Sequence, residues 1–210
     1  MPTDKMRIEH DLLGNLEVPD SAYYGVHTLR AVDNFPVTGT PISHYPDLIK
    51  ALAMIKQAAA RTTAELGLLP APIADAIIGA CREIREGRLN EQFVVDVIQG
   101  GAGTSTNMNA NEVIANRALE LMGAERGDYK RLHPNEHVNM SQSTNDVYPT
   151  ALKLATYAGI YRLVDAMAHL RAAFQRKANE FGDVLKMGRT QLQDAVPMTL
   201  GQEFATYAVM

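Results

Sequence analysis

A chain of 210 residues with a formal net charge of -4 can bury a sizeable core in one or two domains. With 46% hydrophobic and 21% charged residues and no run of lysine or arginine, it is composed like a globular protein, which excludes a disordered tail and a nucleic-acid surface. No stretch approaches the roughly 18 apolar residues of a membrane span, the start of the chain (Asp4, Lys5, Arg7, Glu9) has no apolar signal core, and the single cysteine, Cys81, closes no internal disulfide, so a reducing cytoplasm is the expected compartment.

Pro19, Gly25, Pro36, Gly39 and Pro41 rule out a long helix before about residue 45 and leave room for a short strand or two. From Asp47 the period changes: Leu48, Leu52, Ile55, Ala59 and Thr62 recur at three and four, which predicts a helix to about Leu66 with Gly67 as its stop. A second helix follows Pro72 and ends near Gly87, where Cys81, next to Ala80 and close to Ile84, reads as a small buried residue and not a nucleophile. Propensity makes Phe93-Val94-Val95-Asp96-Val97-Ile98 a strand, although a run this short does not separate a strand from a buried loop.

Thr106 to Leu121 is helical, closed by Gly123, and after the polar stretch 124–142 a much longer helix starts near Asn145 and extends to roughly Asn179. Pro149 falls in its first turns, where a missing N–H costs little. Ile160, Leu163, Met167, Leu170 and Phe174 follow a 3-4-3-4 spacing, the seam of a helix packed along other long helices. Between Val147 and Leu170 this helix is apolar on most of its circumference and needs more partners than the chain supplies. Thr199-Leu200-Gly201-Gln202 has the form of a capping box, yet the chain stops about ten residues later without a stop signal, as if cut inside a helix. The expected fold is mainly α: a mixed domain of short strands and helices over 1–142, then the first part of a long-helix bundle over 143–210.

Three polar strings carry the chemistry, each expected at the threshold of a helix: Gly100-Gly101-Ala102-Gly103-Thr104-Ser105-Thr106-Asn107-Met108-Asn109, Ser141-Gln142-Ser143-Thr144-Asn145-Asp146 and Gly188-Arg189-Thr190-Gln191-Leu192-Gln193-Asp194. Hydroxyls, carboxamides and unpaired backbone N–H groups at a helix start favour a carboxylate, so the strings read as one site for a small polyanion. Because the whole chain is acidic, attraction has to be local, from helix termini and a few cations such as Lys186 and Arg189. Plainer readings stand beside this one: a loop capped by Thr104 or Ser105, and a simple N-cap at Ser143 or Thr144. The first string lacks the lysine of a P-loop and the spacing of a dinucleotide fingerprint. His133 and His137 are four apart, but Pro134 disfavours a helix through both and no third ligand is evident, so no metal is expected. Glu112, Glu120 and Glu203 read as helix-surface or capping carboxylates.

With Glu9-His10-Asp11-Leu12-Leu13-Gly14, Ala22 to Ala31, Asn107 to Val113, His133 to Asn139 and Lys186 to Phe204, these strings resemble the aspartase and fumarase family of lyases along nearly the whole chain. The resemblance implies reversible anti elimination of ammonia from L-aspartate to give fumarate, through an enediolate and without a cofactor. It implies that Thr104, Ser143, Thr144 and Asn145 hold the substrate's carboxylate and amino groups, that Thr190 lies near the α-carboxylate and that Gln191 accepts from the ammonium. It offers His133 and Asn135 as a secondary anion site. Family members are homotetramers whose long helices form a bundle, each site drawing on several subunits. Their base is a serine on a loop of the type Ser-Ser-x-Met-Pro-x-Lys-x-Asn, which this sequence lacks and which is expected beyond Met210, so the 210-residue chain alone is expected to be inactive. Ser143-Thr144-Asn145-Asp146 and Arg189-Thr190-Gln191-Leu192-Gln193-Asp194 are the aspartase form; the class II fumarase branch has Ser-Ser-Asn-Asp and Arg-Thr-His-Leu-Gln-Asp. A non-catalytic protein on the same scaffold is the remaining alternative.

Overall fold

A computed structural model describes residues 5–210; the first four residues of the expected 1–142 domain lie outside it. The turn-rich start folds as a hairpin, β1 (Met6–Asp11) antiparallel to β2 (Gly14–Pro19), followed by the short helix α1 (Val26–Asn34). The predicted helices appear as α2 (Pro46–Glu65), α3 (Ala71–Arg85), α4 (Thr104–Leu121) and α5 (Thr144–Glu180). Both α2 and α3 carry proline in the first turn, where its fixed φ suits the helix and no N–H is missed. Gly67, just past α2, has φ 73, the left-handed stop that the sequence suggests.

Phe93–Ile98 is not a strand. Phe93 and Val95 are buried, but the segment pairs with 40–43 through Ile42 N–H to Val95 O (2.9 Å), Ser43 N–H to Phe93 O (3.1 Å) and Val97 N–H to Thr40 O (3.0 Å). Its one bridge joins Asp96 to Pro41, and a proline without an N–H cannot continue a ladder.

The chain divides into two compact units, Met1–Thr156 and Tyr157–Met210. In the first, α2 packs on α3 and α3 on α4, burying Leu52, Ile77, Ala80, Val113, Ile114 and Leu119. Cys81 is buried among them as expected, its thiol pushed up to about 12 by burial. The division falls inside α5 and not at residue 142, because Val147 and Ala151 on its first turns belong to the first core.

The second unit contains the rest of α5, the hairpin β3 (Leu185–Thr190) with β4 (Gln193–Thr199), and α6 (Leu200–Val209). The capping box at Thr199 is fully formed: its hydroxyl accepts the Gln202 N–H (3.1 Å) and the Gln202 carboxamide accepts the Thr199 N–H (2.9 Å). Ile160, Leu163, Met167 and Leu170 remain 51–58% exposed, an open seam on α5. Among the described residues no helix is long and apolar enough to cross a membrane.

Candidate functional site

Two buried carboxylates fix the scaffold. Glu112, on the third turn of α4, is a capping carboxylate and not a surface group: it is 0% exposed and accepts the N–H groups of Gly25 (2.9 Å), His27 (2.9 Å) and Thr28 (3.0 Å) at the start of α1. Glu9 of β1 accepts the Val26 N–H (2.9 Å) and the Tyr129 hydroxyl (3.1 Å). Together they satisfy the orphan donors at the start of α1 and lock it to α4 and to the hairpin. Burial drives the Glu112 carboxyl above its ordinary pKa, against the hydrogen bonds from Thr28 and His27. Gly25 is obligatory here, since a Cβ would stand 2.5 Å from both Glu9 Oε2 and the Tyr129 hydroxyl.

This lock leaves a cleft of about 750 Å³ between β1, α1 and the start of α4. Thr104 and Ser105 line it from α4, His27 and Arg30 from α1, and His133 and Asn135 from the segment around Pro134. Neither Thr104 nor Ser105 caps α4. Gly103 is the N-cap residue, at φ 80 and without a capping side chain, and the first turn holds no acid. The positive end of α4 is therefore left for a ligand, with the exposed Thr104 hydroxyl beside it.

The second string meets the first. A Cβ on Gly103 would lie 2.5 Å from the Tyr148 ring, so glycine lets the start of α4 lie against the first two turns of α5. Asn107 Nδ2 donates to Thr144 Oγ1 (3.3 Å). Ser143 caps α5, its hydroxyl accepting the Asn145 N–H (3.1 Å) while its own O–H remains a donor. Thr104, Ser143, Thr144 and Asn145 thus sit on two adjoining helix starts.

His133 and His137 are structural acceptors on one side of their rings. His133 Nδ1 accepts the N–H groups of Asn135 (3.1 Å) and Glu136 (3.2 Å), capping a π-helical turn at Pro134–Val138, and His137 Nδ1 accepts the His133 N–H (2.8 Å). Pro134 occupies the first position of that turn, where a helix tolerates it. Burial keeps the His133 pKa below the ordinary histidine value, so the ring is a neutral donor through Nε2. Among the described residues no three His, Cys, Asp or Glu side chains group as metal ligands.

Thr190 and Gln191 belong to the second unit. The third string is not a helix start but the β3–β4 turn, with Gln191 at φ 50 and Leu192 at φ 64, both exposed. The two cations expected to attract an anion are already paired: Lys186 with Glu203 (2.6 Å) and Arg189 with Asp194 (3.1 Å). Arg30 in the cleft likewise pairs with Asp11 (2.8 Å), leaving helix termini and neutral donors as the main attraction.

A family model described as "Lyase" matches residues 14–210. The chain belongs to the aspartase/fumarase family of lyases. This lyase chain is 56% identical over 209 residues to aspartate ammonia-lyase of Escherichia coli (strain K12), covering 99% of the chain and 44% of the relative. It is 62% identical over 207 residues to aspartate ammonia-lyase of Pseudomonas aeruginosa, with the same coverage of each. Among solved structures, fumarate lyase:delta crystallin from Brucella melitensis superposes with a TM-score of 0.95 at 57% identity, covering 98% of the chain and 48% of that protein. A class II fumarase from Schistosoma mansoni gives 0.89 at 39%, covering 98% and 43%. The lyase chain spans under half the length of the curated relatives it matches.

Asn107, Asn111 and Asn139, which lie inside the quoted strings but receive no individual role from the sequence, meet at Asn139 Oδ1 beside Thr144. The signal was present, since Asn107 and Asn111 are four apart and share one face of α4.

Proposed function

We propose that the full-length protein is an aspartate ammonia-lyase, eliminating ammonia from L-aspartate to give fumarate. The observation that supports this best is the adjoining starts of α4 and α5, which present Thr104, Ser143, Thr144 and Asn145 together. A base takes a proton from C3, the electron pair passes into the β-carboxylate as an enediolate, and its return expels the amine from C2 with a double bond formed between C2 and C3. The doubly charged carboxylate gains most from donors fixed in advance, here the hydroxyls and the uncapped amides of α4. The leaving ammonium only donates, so it takes the carboxamide oxygens of Asn145 and Gln191, with Thr190 at the α-carboxylate. His133 Nε2–H and Asn135, which line the same cleft as Thr104, suit a second anion. The base is a serine outside this chain, and the working form is a homotetramer in which several subunits contribute to each site.

The test is turnover of L-aspartate by the full-length protein, followed as fumarate absorbance. Fumarate formation is expected. Hydration of fumarate to malate as the main activity would instead support the fumarase reading, and neither activity would support a non-catalytic scaffold.

A further inference from the structure

Among the described residues the largest fully buried side chain is a lysine. Lys56 lies mid-way along α2 at 0% exposure, facing the core with Leu52, Ala53 and Ala60 on neighbouring turns. An amine is among the costliest groups to take out of water, and Lys56 pairs with no carboxylate among the described residues. Its Nζ makes one hydrogen bond, to Asn139 Oδ1, at 2.7 Å.

Asn139 is a junction. Its Oδ1 also receives Asn107 Nδ2 (3.0 Å) and Asn111 Nδ2 (3.3 Å). Its Nδ2 donates to Gln142 O (3.0 Å), and the Gln142 N–H returns to Asn139 O (3.1 Å). The turn so clamped holds Ser141 at φ 58, a conformation costly for serine that persists only when its surroundings impose it. That turn leads directly into Ser143 and Thr144. From the other side, Asn107 Nδ2 reaches Thr144 Oγ1 (3.3 Å), while the buried Oδ1 atoms of Asn107 and Asn111 find no protein donor, so only their amide ends orient them.

Resting on the lyase reading, we propose that Lys56 is a positioning residue for the substrate site: through Asn139 it fixes the 139–143 turn and thereby the direction of the Thr144 hydroxyl. The amine does not touch substrate. Burial lowers its pKa from 10.5 to about 7, and both protonation states can donate to Asn139. The titratable group facing it is Cys81 of α3, whose thiol stays neutral.

The test uses the full-length protein with Lys56→Met, which keeps the volume and removes the donor, alongside Asn139→Leu and the double variant. Lys56→Met should fold at least as well as the parent. Its stability should also lack the rise expected of the parent from about pH 7 to 10.5, the window in which the unfolded chain binds a proton that the folded lysine has released. Despite that, kcat should fall on the order of tenfold to a hundredfold with KM little changed, the size expected of a misplaced catalytic contact. The double variant should be no worse than Asn139→Leu alone. A variant that folds with kcat within about twofold of the parent overturns the proposal, as does activity lost only in step with a lowered melting temperature. If the parent turns over no aspartate, the lyase reading fails by itself. A crystal structure of Lys56→Met then decides the positioning claim: an unmoved 139–144 path overturns it, and a displaced Thr144 hydroxyl upholds it.

Discussion

Gln191 and Leu192 take the two central positions of the β3–β4 turn with positive φ, 50 and 64, where Asn-Gly is the unstrained choice. Two non-glycine residues tolerated there point to a side chain kept for what it does and not for ease of turning. If the Gln191 carboxamide accepts from the substrate ammonium, Gln191→Leu leaves a buried donor unpaired. The cost is about 1.5 to 3 kcal/mol, or roughly a ten- to a hundredfold loss in aspartate kcat/KM. Leucine at the adjacent position shows that the backbone admits it. Inhibition by succinate, which lacks the amine, should be almost unchanged in the same variant; equal losses for both compounds would mean that Gln191 shapes the pocket without reading the amino group. At this scale the sequence located Thr104 and Ser143 to Asn145 at helix starts, where small polar residues either cap the helix, as Ser143 does, or face a ligand. It told little about Glu112 and Lys56. A single charge inside a helix reads as a solvated face, and only the packing of α1 on α4, or of α2 near the 139–143 turn, reveals either side chain as interior.

The helices α2 to α5 were legible because each carries its own period and punctuation: proline at the start of α2 and α3, Gly67 and Gly123 just past α2 and α4. The β3–β4 hairpin was not, since its turn is Gln-Leu and its polar residues imitate a helix threshold. The 93–98 segment failed for a different reason: its propensity is that of a strand, but the partner that reaches it begins with Pro41. The lock between β1, α1 and α4 yields a prediction at the same scale. Gly25→Ala forces a Cβ against Glu9 and Tyr129 and should destabilise the full-length protein by about 1 to 3 kcal/mol, the cost of overpacking. Denaturant midpoints of parent and variant measure it. An unchanged midpoint would show that the two carboxylates part easily and that the cleft's frame is looser than described.

Across the whole chain, the exposed seam of Ile160, Leu163, Met167 and Leu170 gives α5 a large apolar surface, in keeping with the tetramer proposed for the full-length protein. Among the described residues Arg30 in the first unit and Lys186 and Arg189 in the second are each bound to a carboxylate, which leaves the two helix starts and their hydroxyls to hold a dianion as its charge grows. The most direct measurement is steady-state kinetics of Thr104→Ala and Thr144→Ala in the full-length protein, with assembly state measured alongside. With assembly intact, each substitution is predicted to lower kcat by about 10² or more, because each removes a donor to charge that develops in the transition state. A rise in KM with kcat unchanged, or activity equal to the parent, would contradict the claim that the joined starts of α4 and α5 carry the catalysis.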